Sequence, residues 1–279
     1  MARETLVVDL MTESPFCVAP TDPVSKAQAL LVQHAIRHLP VEERGSLVGI
    51  ISVRDLLPAE DDLAVGDVMS HDVFVIRQNV TASDAADRML RYQVSCLPVV
   101  DRAQLMVGIL TTTDILAWVT GRLAESDSTG RFVSVGELMT ARPLITVVPS
   151  TSLAEAYLVM RAGHVHHLAV LDGERVVGVL FDLELLAVGR GWLSEVSAGG
   201  SADHGALRVA DVLSIRTQVF APRDLAGDAG RYLCETRVDC IPVEEDQRLA
   251  GMLTVTDFLR YGALDPRGES GPGVAAAEK

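Results

Sequence analysis

The sequence predicts an α+β fold in which four similar units, each with the order β-α-β-β-α, pack in two pairs. Three observations lead to this prediction. Four segments open with the same short pattern, a similar extended stretch follows each about thirty residues later, and a glycine before a hydrophobic pair comes nine or ten residues further on. Because this spacing barely changes along the chain, the pattern indicates an internal repeat.

The repeated pattern has three parts, and each part occurs four times in the same order. The opening segments are Val8–Thr12, Val65–Ser70, Val135–Thr140 and Val209–Ser214. The extended stretches are His38–Val41, Cys96–Val99, His167–Val170 and Cys240–Val243. The glycines are Gly49, Gly108, Gly178 and Gly251.

Each unit carries local signals for two helices and three strands. A short β-like run such as Phe74–Ile76 follows the opening Met. An amphipathic helix comes next, since apolar residues between Val24 and Leu31 recur at helical spacing. Two β runs then flank a polar turn, and a second helix such as Asp114–Val119 closes the unit. A unit this small buries too little apolar surface alone, so we expect it to pair with a neighbour.

Domain boundaries follow from the repeat. We expect the four repeats at residues 5–60, 61–120, 131–190 and 206–262. Polar residues near Gly121–Gly130 mark the expected seam between the two pairs. The stretch Gly191–Gly205, rich in Gly, Ser and Ala, predicts a flexible loop. Residues 263–279 lack periodicity and predict a disordered tail.

The repeats resemble a known family. The sequence Leu-Met-Thr at 10–12, Leu-Pro-Val at 39–41 and Gly-Ile-Leu-Thr-x-x-Asp at 108–114 is similar to the CBS domain, named for cystathionine β-synthase. The resemblance covers residues 5–262 and includes all four copies in order. It implies two Bateman modules, each a pair of repeats with a cleft for an adenosine-type ligand, and it leaves no segment large enough for a catalytic domain.

The motif Gly-h-h-Ser/Thr-x-x-Asp, where h is hydrophobic, predicts the ligand contacts. A strand ends and a helix begins there, and a helix N-terminus offers free N–H groups and a positive dipole end to a phosphate. In CBS domains that bind adenosine compounds, the matching Asp holds the ribose and the matching hydroxyl lies near the phosphates. The resemblance therefore implies ligand contacts from Ser52, Asp55, Thr111, Asp114, Thr254 and Asp257.

The same motif also has a purely local interpretation. Ser/Thr-x-x-Asp is a variant of the capping box, which stabilises a helix start without any ligand. The third copy departs from the motif, because Phe181 replaces the hydroxyl residue and Glu184 replaces Asp. We expect Asp182 to take over as the N-cap there and phosphate binding in that copy to be weakened, whereas the longer Glu184 leaves contact with a ribose open.

A phosphate also needs positive charge nearby. In family members this role falls to basic residues before the Leu-Pro-Val stretch, and the resemblance assigns it here to Arg37, His38, His166 and His167. The other two copies have Ser95-Cys96 and Asp239-Cys240 at these positions, and Arg54 adds charge in the first module. His164, His166 and His167 do not predict a metal site, because on a strand His167 faces away from the other two.

Composition excludes several functional classes. A formal net charge of −14 with no basic cluster argues against nucleic-acid binding. The apolar stretches are too short for a membrane span. The four cysteines form no CxxC pair and are expected as reduced thiols, which together with the absence of a signal-peptide pattern predicts the cytoplasm.

These observations predict a non-catalytic sensor that regulates an unidentified partner protein. The expected ligand is AMP, ADP or ATP, with S-adenosylmethionine as the alternative, and no other cofactor is expected. The competing interpretation is a ligand-free CBS scaffold that mediates assembly. An enzyme is disfavoured, because the sequence contains no nucleophile–base pair, metal spacing or Walker-type loop. We expect a homodimer or a disc formed by two internally paired modules.

Overall fold

All four predicted units are present in the computed structural model, which describes residues 4–128, 130, 132–141, 144–189, 207–213 and 218–264. Each unit combines a small sheet with helices, and the α+β class predicted from the repeat is confirmed. Each described unit also begins with a single helical turn, which the β-α-β-β-α prediction does not contain.

The first repeat shows how local sequence produces these elements. They are α1 Val7–Leu10, β1 Thr12–Glu13, α2 Val24–His34, β2 His38–Glu43, β3 Ser46–Ser52 and α3 Val53–Leu56. Helix α2 buries Val24, Ala27 and Leu31, the stripe that helical periodicity predicts. Arg44 and Gly45 both have positive φ between β2 and β3, as a tight two-residue hairpin turn requires.

The second repeat ends in a helix that is longer than predicted. Its elements are α4 Val65–Val68, β4 Ile76–Arg77, α5 Ala82–Tyr92, β5 Cys96–Val100, β6 Met106–Thr111 and α6 Thr112–Ser128. Helix α6 therefore runs through most of the stretch Gly121–Gly130 that the sequence predicts as the seam between the modules. Leu123 is almost fully buried in a hydrophobic core, and this packing continues the helix past Gly121.

The third and fourth repeats follow the same order. The third contains α7 Val135–Leu138, β7 Thr140–Ala141, β8 Thr146–Val147, α8 Leu153–Gly163, β9 His167–Asp172, β10 Arg175–Phe181 and α9 Asp182–Ala187. The described part of the fourth contains α10 Val209–Val212, α11 Ala226–Thr236, β11 Cys240–Glu245, β12 Arg248–Thr254 and α12 Val255–Leu264. The first two residues of the predicted tail, 263 and 264, are therefore helical. The rest of that tail and the predicted loop at 191–205 lie outside the described residues.

Paired repeats exchange their opening segments. Strand β1 of the first repeat pairs with β6 of the second, and β7 of the third repeat pairs with β12 of the fourth. The opening Met or Leu of each repeat packs against the motif glycine of its partner, and these pairs are Met11–Gly108, Met69–Gly49, Met139–Gly251 and Leu213–Gly178. A Cβ at Gly108 would lie 2.7 Å from the Thr12 carbonyl oxygen, too close for any side chain. This contact explains why both motifs recur in every unit.

The two modules pack against each other through two shared hydrophobic cores. One core joins the second and fourth repeats, where α6 packs against α11 and α12. The other joins the first and third repeats, where α2 and α3 contact α9. Residues at the start of β2, at the end of β3 and just before β9 consequently line one cavity, where several of the predicted site residues lie. Within the described ranges, no helix combines the length and apolar character needed to cross a membrane.

Candidate ligand-binding clefts

Each strand-to-helix junction carries a carboxylate that caps the helix. The backbone N–H of Ser52 donates to Asp55 Oδ2 at 2.8 Å, that of Thr111 to Asp114 Oδ2 at 2.7 Å, and that of Thr254 to Asp257 Oδ2 at 2.8 Å. The three hydroxyl groups donate to the same oxygens at 2.6–2.7 Å. The capping interpretation of the motif therefore accounts for one oxygen of each carboxylate.

The repeats differ in whether the second oxygen of this carboxylate accepts a hydrogen bond. Among the described residues, no donor bonds Oδ1 of Asp55 or Oδ1 of Asp114, so each keeps acceptor capacity for a ligand. In the fourth repeat, Asp257 Oδ1 accepts from Thr140 Oγ1 at 3.1 Å and from Arg260 Nη1 at 2.8 Å. Burial raises the pKa of Asp114 and of Asp257, and the hydrogen bonds from Thr111 and Thr254 oppose that rise.

A cavity of about 240 Å³ lies between the first and second repeats and opens on the first of these junctions. Ser52, Arg54 and Asp55 line one side, and residues 70 and 72–74 with 93–96 of the second repeat line the other. The walls also include Arg37, His38, His166 and Asp182. The structure thus brings together five of the predicted site residues, which are Arg37, His38, Ser52, Asp55 and His166. Thr111, Asp114, His167, Thr254 and Asp257 do not line this cavity.

The two arginines at the cavity are held by the second module. Arg37 Nη2 donates to Asp182 at 2.5 Å, and Arg37 Nη1 donates to Asp239 at 2.6 Å. Arg54 Nη2 donates to the His164 carbonyl oxygen at 3.1 Å. These partners belong to the third and fourth repeats, so the wall of the first cleft depends on how the modules dock.

Two histidines near the cavity, His38 and His167, have strongly lowered pKa values. Loss of water around the partly buried ring, with Arg37 beside it, lowers the pKa of His38 to about 3. Burial, with His166 and Arg37 nearby, lowers the pKa of His167 to about 4. Both rings are therefore neutral near pH 7 and add no positive charge. His166 Nδ1 lies 2.8 Å from Asp182 Oδ2, within ion-pair distance.

Asp182 does not cap α9 as predicted, and that expectation is wrong. Phe181 occupies the N-cap position, its N–H donates to Glu184 Oε2 at 2.9 Å, and Asp182 is the first helical residue. Its side chain points instead to Arg37 and His166, whose charge-assisted hydrogen bonds satisfy the buried carboxylate. The Phe181 ring packs 6.5 Å from that of His167 and fills space beside the third junction.

His164 does not lie on a strand, so the expectation that His164, His166 and His167 alternate along one strand is wrong. It ends α8 with φ near 52°, and β9 begins only at His167. In the part of the chain that the structure describes, no group of three or more His, Cys, Asp or Glu side chains has the arrangement of a metal site.

Sequence reasoning missed three cavity or ion-pair residues. Asp72 and Phe74 line the cavity from the second repeat, and Phe74 stacks on Tyr92 with 4.3 Å between ring centroids. Asp239 precedes the fourth Ile-Pro-Val stretch, at the position that Arg37 occupies in the first repeat. That alignment places a cation and an anion at equivalent positions and is the one signal in the sequence for their pairing.

A larger hollow of about 660 Å³ lies elsewhere, on the outer face of the fourth repeat. It is open to solvent and is lined by charges of both signs just before α11 and along it, including Arg223, Asp224, Asp228 and Arg231. No predicted site residue reaches it. The smaller cavity, where motif residues from two repeats converge, is therefore the candidate site.

Comparison with curated proteins finds relatives longer than this chain. Protein MJ1404 of Methanocaldococcus jannaschii is 28% identical over 264 residues, which cover 91% of this chain and 61% of MJ1404. The inosine-5′-monophosphate dehydrogenase of Korarchaeum cryptofilum is 33% identical over 131 residues, which cover 47% of this chain and 26% of the enzyme. The chain thus spans less than two thirds of each of these relatives.

The structural and family comparisons cover most of the chain. The crystal structure of protein MJ1225 from Methanocaldococcus jannaschii matches with a TM-score of 0.78 over 92% of this chain and 99% of MJ1225, and at 18% identity this likeness shows a shared fold. The family profile of the CBS domain matches residues 7–62, 65–121, 135–190 and 210–264. These four matches cover well over half of the chain, which therefore belongs to the CBS domain family.

Proposed function

We propose that this chain is a non-catalytic regulatory protein that binds an adenosine-type ligand in the cleft between its first two repeats. One observation carries the proposal. A single cavity joins an aspartate whose Oδ1 has no donor among the described residues with a helix-start hydroxyl, two arginines and an aromatic side chain. These residues are Asp55, Ser52, Arg37, Arg54 and Phe74. Residues from paired repeats supply opposite walls, as the CBS resemblance implies.

Each of these groups matches part of an adenosine compound. The ribose hydroxyl groups can donate hydrogen bonds to Asp55 Oδ1. The Phe74 ring, held by its stacking on Tyr92, offers an aromatic face beside the cavity for the adenine. Arg37 and Arg54 lie where a phosphate would need compensation. We propose AMP, ADP or ATP as the ligand, with S-adenosylmethionine as the alternative.

The chemistry of the cavity favours binding over catalysis. Ser95 Oγ lies 3.1 Å from His38 Nε2, the geometry of a nucleophile beside a base. With the pKa of His38 lowered to about 3, however, that ring is a poor acceptor for a serine proton at neutral pH. Burial raises the pKa of the neighbouring Cys96 thiol to about 12, so no thiolate nucleophile forms either.

Regulation would act through the docking of the two modules. Arg37 and Arg54 line the first cleft while they bond to Asp182, Asp239 and the backbone of His164 in the second module. A ligand that rearranges either arginine shifts the balance between module arrangements. We propose that a partner protein recognises that shift.

The proposal is tested by calorimetric titration with AMP, ATP and S-adenosylmethionine. We expect at least one to bind, and Asp55→Asn to weaken it about 10- to 100-fold, the loss of one or two hydrogen bonds to a charged group. The matched control is Asp67→Asn, because Asp67 caps α4 through the Ala64 N–H but does not line the cavity. If none of the three compounds binds the wild-type protein, the ligand-free scaffold becomes the leading interpretation.

Two further expectations belong to the same proposal. We propose a homodimer or a disc of two internally paired modules, located in the cytoplasm, and sedimentation and the location of a fluorescent fusion test the assembly and the location separately. Within one chain the two modules already pack together through shared cores, which supports the internally paired arrangement.

A further inference from the structure

The third repeat carries a buried acid at a position that differs in the other copies. Asp182 follows the junction residue Phe181, and the equivalent residues are Val53, Thr112 and Val255. Asp182 is only 3% exposed, so its charge needs partners within the protein. It lines the cavity between the first two repeats although it belongs to the second module.

The partners of Asp182 are the basic groups that a ligand phosphate would use. Arg37 Nη2 bonds one carboxylate oxygen, and His166 Nδ1 lies 2.8 Å from the other. Burial alone would raise the pKa of Asp182, but Arg37, His166 and Arg54 together hold it below its ordinary value. The carboxylate is therefore ionised at neutral pH and stands in for a bound anion. Asp239 Oδ2 accepts a hydrogen bond from the other terminal nitrogen of Arg37, Nη1, at 2.6 Å.

The charge around the cavity is consequently not positive. Two arginines, Arg37 and Arg54, face three aspartates, Asp55, Asp72 and Asp182. His38 is neutral, and His166 is taken up by its contact with Asp182, so even a charged His166 would only balance the three aspartates. A ligand phosphate that reaches Arg37 competes with two carboxylates already in place. Each added phosphate brings further negative charge into a site where, among the described residues, Arg54 is the one arginine without a carboxylate partner.

We infer that Asp182 is a specificity-determining residue of the first cleft, which acts as an internal anion and makes the cleft select adenosine compounds of low negative charge over polyphosphates. The inference rests on the proposed function and narrows its ligand class. It also gives the altered motif of the third repeat a role in a cleft formed by other repeats.

The test measures affinity along the series adenosine, AMP, ADP and ATP by calorimetry. For the wild-type protein we expect no gain in affinity from adenosine to ATP. For Asp182→Asn we expect the affinity for ATP relative to adenosine to rise at least tenfold, and for Asp239→Asn to rise by a smaller factor. Asp87→Asn is the control, because it removes the same charge from an exposed i,i+4 pair with Arg91 on α5.

Three outcomes would overturn the inference. One is a wild-type protein that binds ATP much more tightly than adenosine, a result that needs no variant to fold. Another is a folded Asp182→Asn or Asp239→Asn protein that binds adenosine normally without any relative gain for ATP. In either of these two cases the proposed function survives. The third outcome is a protein that binds neither S-adenosylmethionine nor any of the four compounds, and it would overturn the inference and the proposed function together.

Discussion

The junctions of the first and fourth repeats have the same motif but different chemistry. At both, the aspartate accepts the N-cap N–H and the hydroxyl through Oδ2. In the first repeat Oδ1 of Asp55 has no donor among the described residues and the side chain lines a cavity. In the fourth, Thr140 and Arg260 bond Oδ1 of Asp257, which is 3% exposed. A motif match therefore identifies a helix start, and only the neighbours of the second oxygen decide whether a ligand can bind.

The difference has a structural cause in the exchanged opening segments. Thr140 belongs to β7, which pairs with β12 and so reaches the fourth junction from the partner repeat. At the first junction the equivalent residue is Ser70 of the second repeat, which pairs with Ile50 and contributes to the cavity wall without a hydrogen bond to Asp55. Arg260 lies three residues after Asp257, and the matching residue in the first repeat is Pro58. Proline has no side-chain donor, so Oδ1 of Asp55 stays open.

The largest expected effect is the pH dependence of the free energy of unfolding, to which each module contributes one histidine. His38 and His167 have folded pKa values of about 3 and about 4 against an ordinary 6.5, so the unfolded state binds more protons between these values. Stability is therefore full above pH 6.5 and falls as pH decreases toward 4, by up to about 1.4 kcal/mol per pH unit for each histidine. Urea unfolding at pH 7.5, 6 and 5 measures the slope.

Single variants sharpen this comparison. His38→Gln and His167→Gln should each reduce the slope by about half, while the exposed His71→Gln leaves it unchanged. Asp182, whose pKa is lowered, loses its stabilising charge only at more acidic pH, below the ordinary carboxylate range. A pH-independent free energy of unfolding between 7.5 and 5 would contradict neutral, buried histidines.

The second effect separates binding from folding at the carboxylates. Asp257→Ala leaves the donors Thr140, Thr254 and Arg260 without their acceptor, and we expect a loss of about 1–3 kcal/mol in unfolding free energy. Ligand affinity of the first cleft should stay the same. Asp114→Ala should cost about 1 kcal/mol of stability, as loss of a helix cap does, and it should weaken any ligand bound at the second junction. Equal effects of both variants on binding would show that a carboxylate whose second oxygen is already hydrogen-bonded binds ligand as well as one whose second oxygen has no donor.

The third effect concerns the packing that holds the two modules together. Gly230 of α11 lies against Thr120 of α6 and the Phe258 ring, and an added Cβ would collide with the Thr120 hydroxyl. Gly230→Ala should cost about 1–3 kcal/mol of stability through overpacking. The control is Gly121→Ala on the exposed side of the same α6, where nothing lies within 4 Å and stability should rise by about 0.5–1 kcal/mol. Thermal unfolding of the two proteins measures the contrast, and a stable Gly230→Ala protein would contradict close helix contact.

The smallest effect concerns the hydroxyl groups of the motif. Ser52→Ala and Thr254→Val remove one hydroxyl-to-carboxylate bond each but keep the backbone cap, so each should cost about 1 kcal/mol or less. Only Ser52→Ala should also reduce ligand affinity, because Ser52 lines the cavity. Titration and urea unfolding of the pair check both statements. A loss of affinity in Thr254→Val would show that the fourth junction also takes part in binding.

Local features of the fold could be predicted from the sequence because they depend on neighbours along the chain. The buried stripe of α2, the hairpin between β2 and β3 and the helix starts at Ser52 and Thr111 are set by periodicity, turn residues and capping groups within a few positions. The helical turns α1, α4, α7 and α10 were missed because four residues are too short for a periodic signal.

The sequence by itself determined that the chain consists of four CBS repeats with a carboxylate at each helix start, because motif spacing and local propensity carry that information. Only the tertiary structure decided which carboxylate keeps a free oxygen and where Arg37 directs its charge. Arg37 and Asp182 are 145 positions apart in the chain, and they meet because the modules dock through cores shared between different repeats. Side-chain pairing across such distances depends on the packing of whole elements, which no local pattern specifies.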